Sequence, residues 1–463
     1  MKKYLRRVAA LATALFITVS LCVPAFALDD PKPHCSAAIV VDGDNNEVLY
    51  DYNAYEKRYP ASVTKIMTTL VILRALDAGE LTPETQVTAS KQAVTLPEGS
   101  STAGIVEGEV LTIEQLLYCD LLPSGNEACN ILAEALCGTQ DAFVERMNQT
   151  AAELGMTGTH FANPHGLHDP DHYTTAYDIY LMAAAAMKYD LFRTIVSTPT
   201  YTLEPTNKVS EPRVLHSTNA LISNWYVSGV TYSKAIGIKT GYTEEAGRCL
   251  ASAATDSQGR TFFCVVLGSE YAQDAAGNWH FYSFSESSRL LEWAFNNFTR
   301  TTLLSETSDN VIREIPVTLA GDVGHVLAQP VGSIEATMPT DYDPAQAEVV
   351  MNLPDSLEAP IQKGQVVGSV SLVYNGVTYG TLDMVVTDDV ARSNFQYTMK
   401  VISDTWALWW VKLLVIAVAV LILLAIFYLL VIRPAQRGRR RKYAYSGSRR
   451  SSSRRSGYRG RRR

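Results

Sequence analysis

Tyr59-Pro60-Ala61-Ser62-Val63-Thr64-Lys65-Ile66-Met67-Thr68-Thr69-Leu70 decides how the rest of the chain is read. A proline just ahead of an apolar-periodic run marks a helix start. A helix that begins at Ala61 or Ser62 puts Ser62 and Lys65 three apart on one face, an amine within reach of a hydroxyl. A serine hydroxyl becomes a useful nucleophile when a neighbouring base takes its proton, and lysine serves as that base when neutral. Burial and the positive end of the helix dipole both disfavour the ammonium. Free N–H groups at the helix start offer a donor for a developing oxyanion. Ser-x-x-Lys is short, with about one chance match expected in a chain of this length. The bland alternative is a capping serine and a solvated lysine, so the motif gains its weight from its company.

Working outward, 463 residues allow two or three domains with sizeable cores. Ala37–Asp42 and Val48–Tyr52, joined by the polar run 44–47, read as a β-hairpin. Helices are expected over 62–78, 113–122, 126–136, 141–154 and 175–189, and again over 289–295. Strands are expected at 237–242 and within 250–267. Strands, then helices, then strands and a final helix predict helices packed on a mainly antiparallel sheet. From about Val311 short β-rich runs alternate with Gly, Pro and Asp turns, for example 314–319, 366–371 and 378–382, which predicts a separate small β-sandwich.

The two ends belong to no globular core. Lys2, Lys3, Arg6 and Arg7 precede an apolar run from Val8 to Cys22 and then Ala25-Phe26-Ala27, the pattern of a secretory signal cleaved before Leu28. Leu413 to Ile432 is an apolar stretch of bilayer-spanning length, with Trp406, Trp409 and Trp410 placed as interfacial aromatics. The arginine-rich tail beyond it carries no acid, so the positive-inside rule puts the tail in the cytoplasm and everything before Trp406 outside. The net charge of −7, with four cations on the signal side and fifteen from Lys412 onward, leaves about −26 on the exported part. An acidic ectodomain does not attract polyanions, and no nucleic-acid partner is expected. Six cysteines remain after the signal: Cys35, Cys119, Cys129, Cys137, Cys249 and Cys264. Sequence does not choose among their possible pairings, and buried free thiols are the default reading.

Two further motifs keep company with Ser62 and Lys65. Ser124-Gly125-Asn126 sits on a turn between two helices, read as exposing small polar groups, and Lys239-Thr240-Gly241 lies on an expected strand, followed by Tyr242. Gly241 is read as letting a substrate backbone come close. Ser-x-x-Lys, Ser-x-Asn and Lys-Thr-Gly in this order form a serine acyl-transfer set. Ser217-Thr218-Asn219 and Ser308-Asp309-Asn310 also match Ser-x-Asn, but only Ser124 stands on a turn between two helices well before Lys239.

With Pro60 to Lys65, Leu122-Pro123-Ser124-Gly125-Asn126-Glu127-Ala128, Asn163-Pro164-His165-Gly166-Leu167 and Ile238-Lys239-Thr240-Gly241-Tyr242-Thr243, the chain resembles the D-alanyl-D-alanine carboxypeptidases, low-molecular-mass penicillin-binding proteins related to serine β-lactamases, over about residues 30–300. Ala359 to Gln365 is similar to the same family's C-terminal β domain. The resemblance implies an α/β (α+β) β-lactamase/transpeptidase-like catalytic domain, followed by a small all-β sandwich domain and a C-terminal transmembrane helix. The expected limits are a signal peptide over 1–27, a catalytic domain over 28–305, a β-sandwich over 306–395, a juxtamembrane linker over 396–412, a transmembrane helix over 413–432 and a basic cytoplasmic tail over 433–463.

The resemblance implies catalytic roles for Ser62, Lys65 and Ser124, with Ser62 acylated and Lys65 as its base. Ser124 and Asn126 relay a proton and hold the substrate amide. Lys239 keeps the site positive, Thr240 binds the terminal carboxylate, and the oxyanion sits between the N–H groups of Ser62 and Tyr242. The implied substrate is a peptidoglycan stem peptide ending in D-Ala-D-Ala, with β-lactams as covalent inhibitors and no metal or cofactor. In some relatives an arginine after these strands aids the carboxylate. Here no Lys or Arg occurs between Arg260 and Arg289, and Arg248 substitutes only if it faces the site.

Rival readings are weaker. His165, His168, His172, Asp169 and Asp171 lie close together, but on a Pro- and Gly-containing loop without the helical spacing of a zinc hydrolase. The loop 161–173 holds no glutamate, which argues against a class A β-lactamase. A transpeptidase differs only in its acceptor. A receptor that keeps the fold without catalysis is disfavoured by the presence of both Ser62 and Lys65.

Overall fold

The computed structural model describes residues 30–273, 279–308 and 310–433. The expected signal segment 1–27 and the basic tail beyond Arg433 lie outside the described residues. The chain divides into two compact units. One holds the described residues up to Thr301 together with Glu335–Asp343; the other holds Thr302–Ile334 and those from Pro344 onward.

In the first unit the expected hairpin forms, with β1 (Ala37–Asp42) antiparallel to β2 (Val48–Tyr52). β1 is apolar at successive positions rather than alternate ones because both of its faces are covered. Ala37, Ile39 and Val41 enter the larger core cluster, while Ala38 and Val40 enter a second one. A four-residue 3₁₀ turn, Ala61–Thr64, leads into α1 (Lys65–Asp77). So Ser62 stands on the turn ahead of the α-helix, not inside it. Ten of the thirteen α1 residues are buried, which makes this the central helix of the unit.

Around α1 pack α2 (Ile113–Leu121), started by a Thr112/Gln115 capping box, α3 (Asn126–Cys137), ended by left-handed Gly138, and α4 (Gln140–Glu153), with α5 (Ala176–Ala186) following in the chain. α5 stops earlier than expected, and a separate short helix, Asp190–Val196, follows. Three long strands return to the sheet: β3 (Ala235–Thr243), β4 (Gly247–Thr255) and β5 (Thr261–Ser269). The sheet order is β2–β1–β5–β4–β3, antiparallel throughout, with Ile39 opposite Val265 and Lys239 opposite Ala251. The last helix of the unit, α6, spans Tyr282–Asn297 rather than 289–295. Its first turns read as polar, yet Ser283, Glu286 and Ser287 are buried in the fold.

In the second unit a six-stranded sheet is built from β6 (Arg313–Thr318), β7 (His325–Pro330), β8 (Glu348–Asn352), β9 (Leu357–Glu358), β10 (Val366–Tyr374) and β11 (Val377–Val386), in the order β8–β10–β11–β7–β6–β9. Its core gathers Ile315, Val326, Val370, Leu372 and Met384. The segment expected to be a plain linker contains a helix, α7 (Asn394–Ala407), capped by Ser393. α8 (Trp409–Phe427) continues as a π turn to Ile432, giving a 24-residue apolar span from Trp409. At 1.5 Å per residue that is roughly 36 Å, enough to cross a hydrocarbon core of about 30 Å.

Candidate active site

The 3₁₀ turn carrying Ser62 is held in a conformation that alanine rarely adopts. Ala61 has φ +47°, in the left-handed region where non-glycine residues mark a constrained site. Three contacts fix it. Thr64 Oγ1 donates to the Ala61 carbonyl at 2.7 Å and lies 2.8 Å from His172 Nε2. His172 Nδ1 accepts from the Ala162 amide at 3.1 Å, so Nε2 carries the ring proton and donates to Thr64. Burial pushes the His172 pKa down to about 4, in keeping with a neutral ring. The third contact is Gly166, at φ +86°, where an added Cβ would stand 1.9 Å from the Ala61 carbonyl oxygen. The loop 163–167 therefore packs backbone to backbone against the serine turn.

Lys65 is fully buried at the start of α1. Its Nζ lies 3.0 Å from Ser62 Oγ, 2.7 Å from Asn126 Oδ1 and 2.8 Å from the carbonyl of His165. The spacing that places Ser62 and Lys65 together is local; the other two partners arrive from α3 and from the loop 163–167. Ser124, expected on an exposed turn, is buried at 5% exposure with φ +65°. It shares its cleft with Gly99 and Ser101 of the segment 99–106, and its Oγ makes no hydrogen bond within the protein. Glu127, on the first turn of α3, pins that segment: its Oε1 accepts from Thr102 Oγ1 at 2.6 Å and from the amides of Ala103 and Ile105. Arg213 adds hydrogen bonds to Gly104 O, at 2.6 Å, and to Glu109.

The edge strand β3 closes the other side. Gly241 packs on the serine turn itself, since an added Cβ would stand 2.8 Å from the Pro60 carbonyl and 3.1 Å from the amide nitrogens of Ser62 and Val63. The close approach that requires a glycine is thus made by the protein's own backbone, where the sequence suggested a substrate. Lys239 is buried rather than solvated, and its Nζ donates to Thr240 O at 3.1 Å. Burial, and then repulsion from Lys65, lower its pKa to about 7. Thr240 Oγ1 pairs with Thr218 Oγ1 at 2.7 Å.

Ser62, Ser124, Thr240, Gly241 and Tyr242 line one cleft of about 220 Å³, and Arg248 faces the same cleft from β4. The other three expected site residues, Lys65, Asn126 and Lys239, are buried side chains. Arg248 stands opposite Tyr242 in the strand register. Its guanidinium is ringed by Tyr242, Phe281, Tyr271 and Tyr226 at 4.4 to 5.9 Å. Its Nη1 donates to Tyr226 Oη at 2.8 Å, its Nε has no partner, and among the described residues no carboxylate pairs with it. Larger hollows exist, such as one of about 470 Å³ beside Tyr180 and Arg193, but that one holds no serine or cysteine.

Sequence reasoning did not find the His165 carbonyl, the Thr64–His172 brace or the role of Glu127 in pinning 99–106. A backbone carbonyl leaves no trace in residue type. Glu127, however, stands directly after Ser-Gly-Asn, where its first-turn position on α3 was readable. The described residues contain no cluster of ligands suited to a metal, and the cysteines from Cys35 to Cys264 are free thiols.

Residues 25–270 match the D-alanyl-D-alanine carboxypeptidase family and residues 308–392 match the C-terminal domain of penicillin-binding protein 5. The D-alanyl-D-alanine carboxypeptidase DacF of Bacillus subtilis is 30% identical over 82% of this chain and 94% of its own length, and DacA of Escherichia coli is 30% identical over 79% and 86%. Among solved structures, penicillin-binding protein 5 of Haemophilus influenzae superposes with a TM-score of 0.60 at 28% identity, covering 78% of this chain and 99% of that one. A DD-transpeptidase of Streptomyces K15 covers 57% of this chain and 99% of its own, with a TM-score of 0.51 at 30% identity. The chain belongs to the D-alanyl-D-alanine carboxypeptidase family, and it is a serine-type carboxypeptidase and penicillin-binding protein of peptidoglycan metabolism.

Proposed function

We propose that the chain removes the terminal D-alanine from peptidoglycan stem pentapeptides through an acyl-enzyme on Ser62, with Lys65 as the base. The observation that carries this reading is the set of partners around Lys65 Nζ. Asn126 Oδ1 and the His165 carbonyl, at 2.7 and 2.8 Å, can only accept hydrogen bonds. A neutral amine that donates its two N–H groups to them turns its lone pair toward Ser62 Oγ, 3.0 Å away. Ser62 then attacks the carbonyl between the two D-alanines as its proton passes to Lys65.

Ser124 Oγ, buried and without a protein partner, suits a relay that returns this proton to the departing D-alanine amine. Asn126 holds the substrate amide. The contact of Gly241 with the Ser62 amide supports an oxyanion site between the N–H groups of Ser62 and Tyr242. Lys239 supplies positive charge behind the cleft. Thr240 and Arg248 receive the terminal carboxylate, for which a guanidinium in the cleft that has no carboxylate partner among the described residues is the natural partner. Water then enters in place of the leaving amine and frees Ser62. β-Lactams acylate the same oxygen.

The wider arrangement follows the sequence: signal 1–27, catalytic domain 28–305, β domain 306–395, juxtamembrane segment 396–412, membrane helix 413–432 and tail 433–463. With the arginines of the tail inside, the catalytic domain faces the wall outside a bacterial cell membrane. The test uses the full-length chain in detergent. Wild type should release D-alanine from a peptide ending in D-Ala-D-Ala and take up a fluorescent penicillin, and Ser62→Ala should lose both by at least about a thousandfold. Undiminished release or labelling in Ser62→Ala would refute the assignment. Labelling of the wild type without release would favour a transpeptidase.

A further inference from the structure

Behind Lys65 the structure holds a carboxylate that the reaction as described does not use. Asp120, near the end of α2, is fully buried and interrupts the otherwise apolar run Leu116-Leu117-Tyr118-Cys119-Asp120-Leu121-Leu122. Its Oδ2 accepts from Thr69 Oγ1 at 2.8 Å and its Oδ1 from Cys129 Sγ at 2.9 Å. Both donors sit one helical turn from the catalytic groups. Thr69 is four residues after Lys65 on α1, and Cys129 is three after Asn126 on α3. Lys65 Nζ in turn donates to Asn126. Two helices and two sets of hydrogen bonds thus close a ring, which sets Asp120 about one turn behind the Ser62–Lys65 pair.

The charges facing the lysines can be counted element by element. α1 contributes Lys65, α2 Asp120 and β3 Lys239. From α3 come Glu127, whose Oε1 is taken by the segment 99–106, and Cys129, a thiol whose pKa burial drives up. The loop 157–174 adds His165 and His172, both with pKa values pushed down by burial. Among these described residues Asp120 is the carboxylate whose field reaches both lysines. Burial raises its pKa, and the two lysines oppose that rise. A buried carboxylate with only two hydrogen-bond donors is costly unless cationic neighbours compensate it.

We propose that Asp120 is an ionised positioning residue whose negative charge sets how many protons the Lys65/Lys239 pair holds, and so fixes the pH range in which Ser62 is acylated. This rests on Lys65 being the base for Ser62. Two buried lysines that feel each other's charge repel, and with Asp120 ionised the group of three carries a proton on one lysine while the other stays free to act as base. Removing the negative charge should lower the proton affinity of both.

The test is the second-order rate of acylation by a fluorescent penicillin from pH 5 to 10, on the full-length chain in detergent, for wild type, Asp120→Asn and Asp120→Ser. Asparagine preserves the shape and can hydrogen-bond both Thr69 and Cys129; serine is the smaller neutral alternative. Both limbs of the profile should move to lower pH by about one unit, the size expected for one charge at this range in a protein interior. A variant that folds and is slower at every pH, with limbs within 0.2 unit of wild type as an order of magnitude of assay error, would overturn the proposal and leave Asp120 a packing residue. Failure of the wild type itself to acylate would instead overturn the Ser62–Lys65 reading.

Discussion

At the scale of single residues, the cleft divides into groups that the chain itself satisfies and groups it leaves open. Lys65 Nζ and Asn126 Oδ1 are engaged with each other, whereas Ser124 Oγ and Arg248 Nε are buried without partners. An open polar atom in a buried setting costs free energy until something binds it. For Arg248 this leads to a direct expectation. Arg248→Gln should raise KM for a peptide ending in a free D-alanine carboxylate roughly tenfold or more, the value of one charge-assisted hydrogen bond. The same peptide with a C-terminal amide should be almost unaffected. Equal effects on both peptides, measured by D-alanine or D-alaninamide release, would show that the guanidinium meets something other than the carboxylate. Sequence alone had identified Arg248 but not its direction. Strand register decides that: Arg248 stands directly opposite Tyr242, and so shares its face of the sheet.

At the scale of elements, the motifs that were easiest to read are those whose parts lie within one turn of chain. Ser62 and Lys65, or Ser124 and Asn126, come together through local geometry. Asp120 meets Thr69 across 51 residues and Thr64 meets His172 across 108, contacts that only the packed fold creates. The helix starts were legible from capping chemistry, as at Thr112, while the end of α5 and the polar beginning of α6 were set by tertiary packing. The Thr64–His172 brace has a measurable consequence. His172 is neutral when folded, with a pKa near 4, against 6.5 in the unfolded chain. As pH falls from 6.5 toward 4 the unfolded state takes up a proton that the folded state refuses, so stability is lost through that window, by at most about 1.4 kcal/mol per pH unit. The drop in Tm between pH 7 and 5 should therefore be smaller in His172→Gln than in wild type. An identical drop in both would place the acid sensitivity elsewhere.

At the scale of the whole molecule, catalysis and anchorage reside in separate stretches of chain. The span Trp409–Ile432 is exposed along its length and carries no charge after Lys412. Full-length protein should stay with the membrane fraction through an alkaline carbonate wash, and a chain ending at Thr405 should be released. Retention of the shortened chain would assign the anchorage to the part that remains, where α7 exposes Phe395, Met399 and Ile402 along one side. The fold class was legible because strand and helix patterns alternate strongly. The order of strands was not, since nothing local says that β1 pairs with β5.

That pairing joins Ala37 to Leu267, about 230 residues later in the chain. A ribosome working at 5–20 residues per second takes roughly 10 to 50 seconds to cover this distance. During that interval the serine turn already exists as polypeptide, but the strand bearing Lys239 and the partner of β1 do not. A nascent chain therefore cannot assemble a competent nucleophile early. Reactivity toward β-lactams should begin abruptly, once the last strands have been delivered, and an interrupted translation product should be inert to the drug.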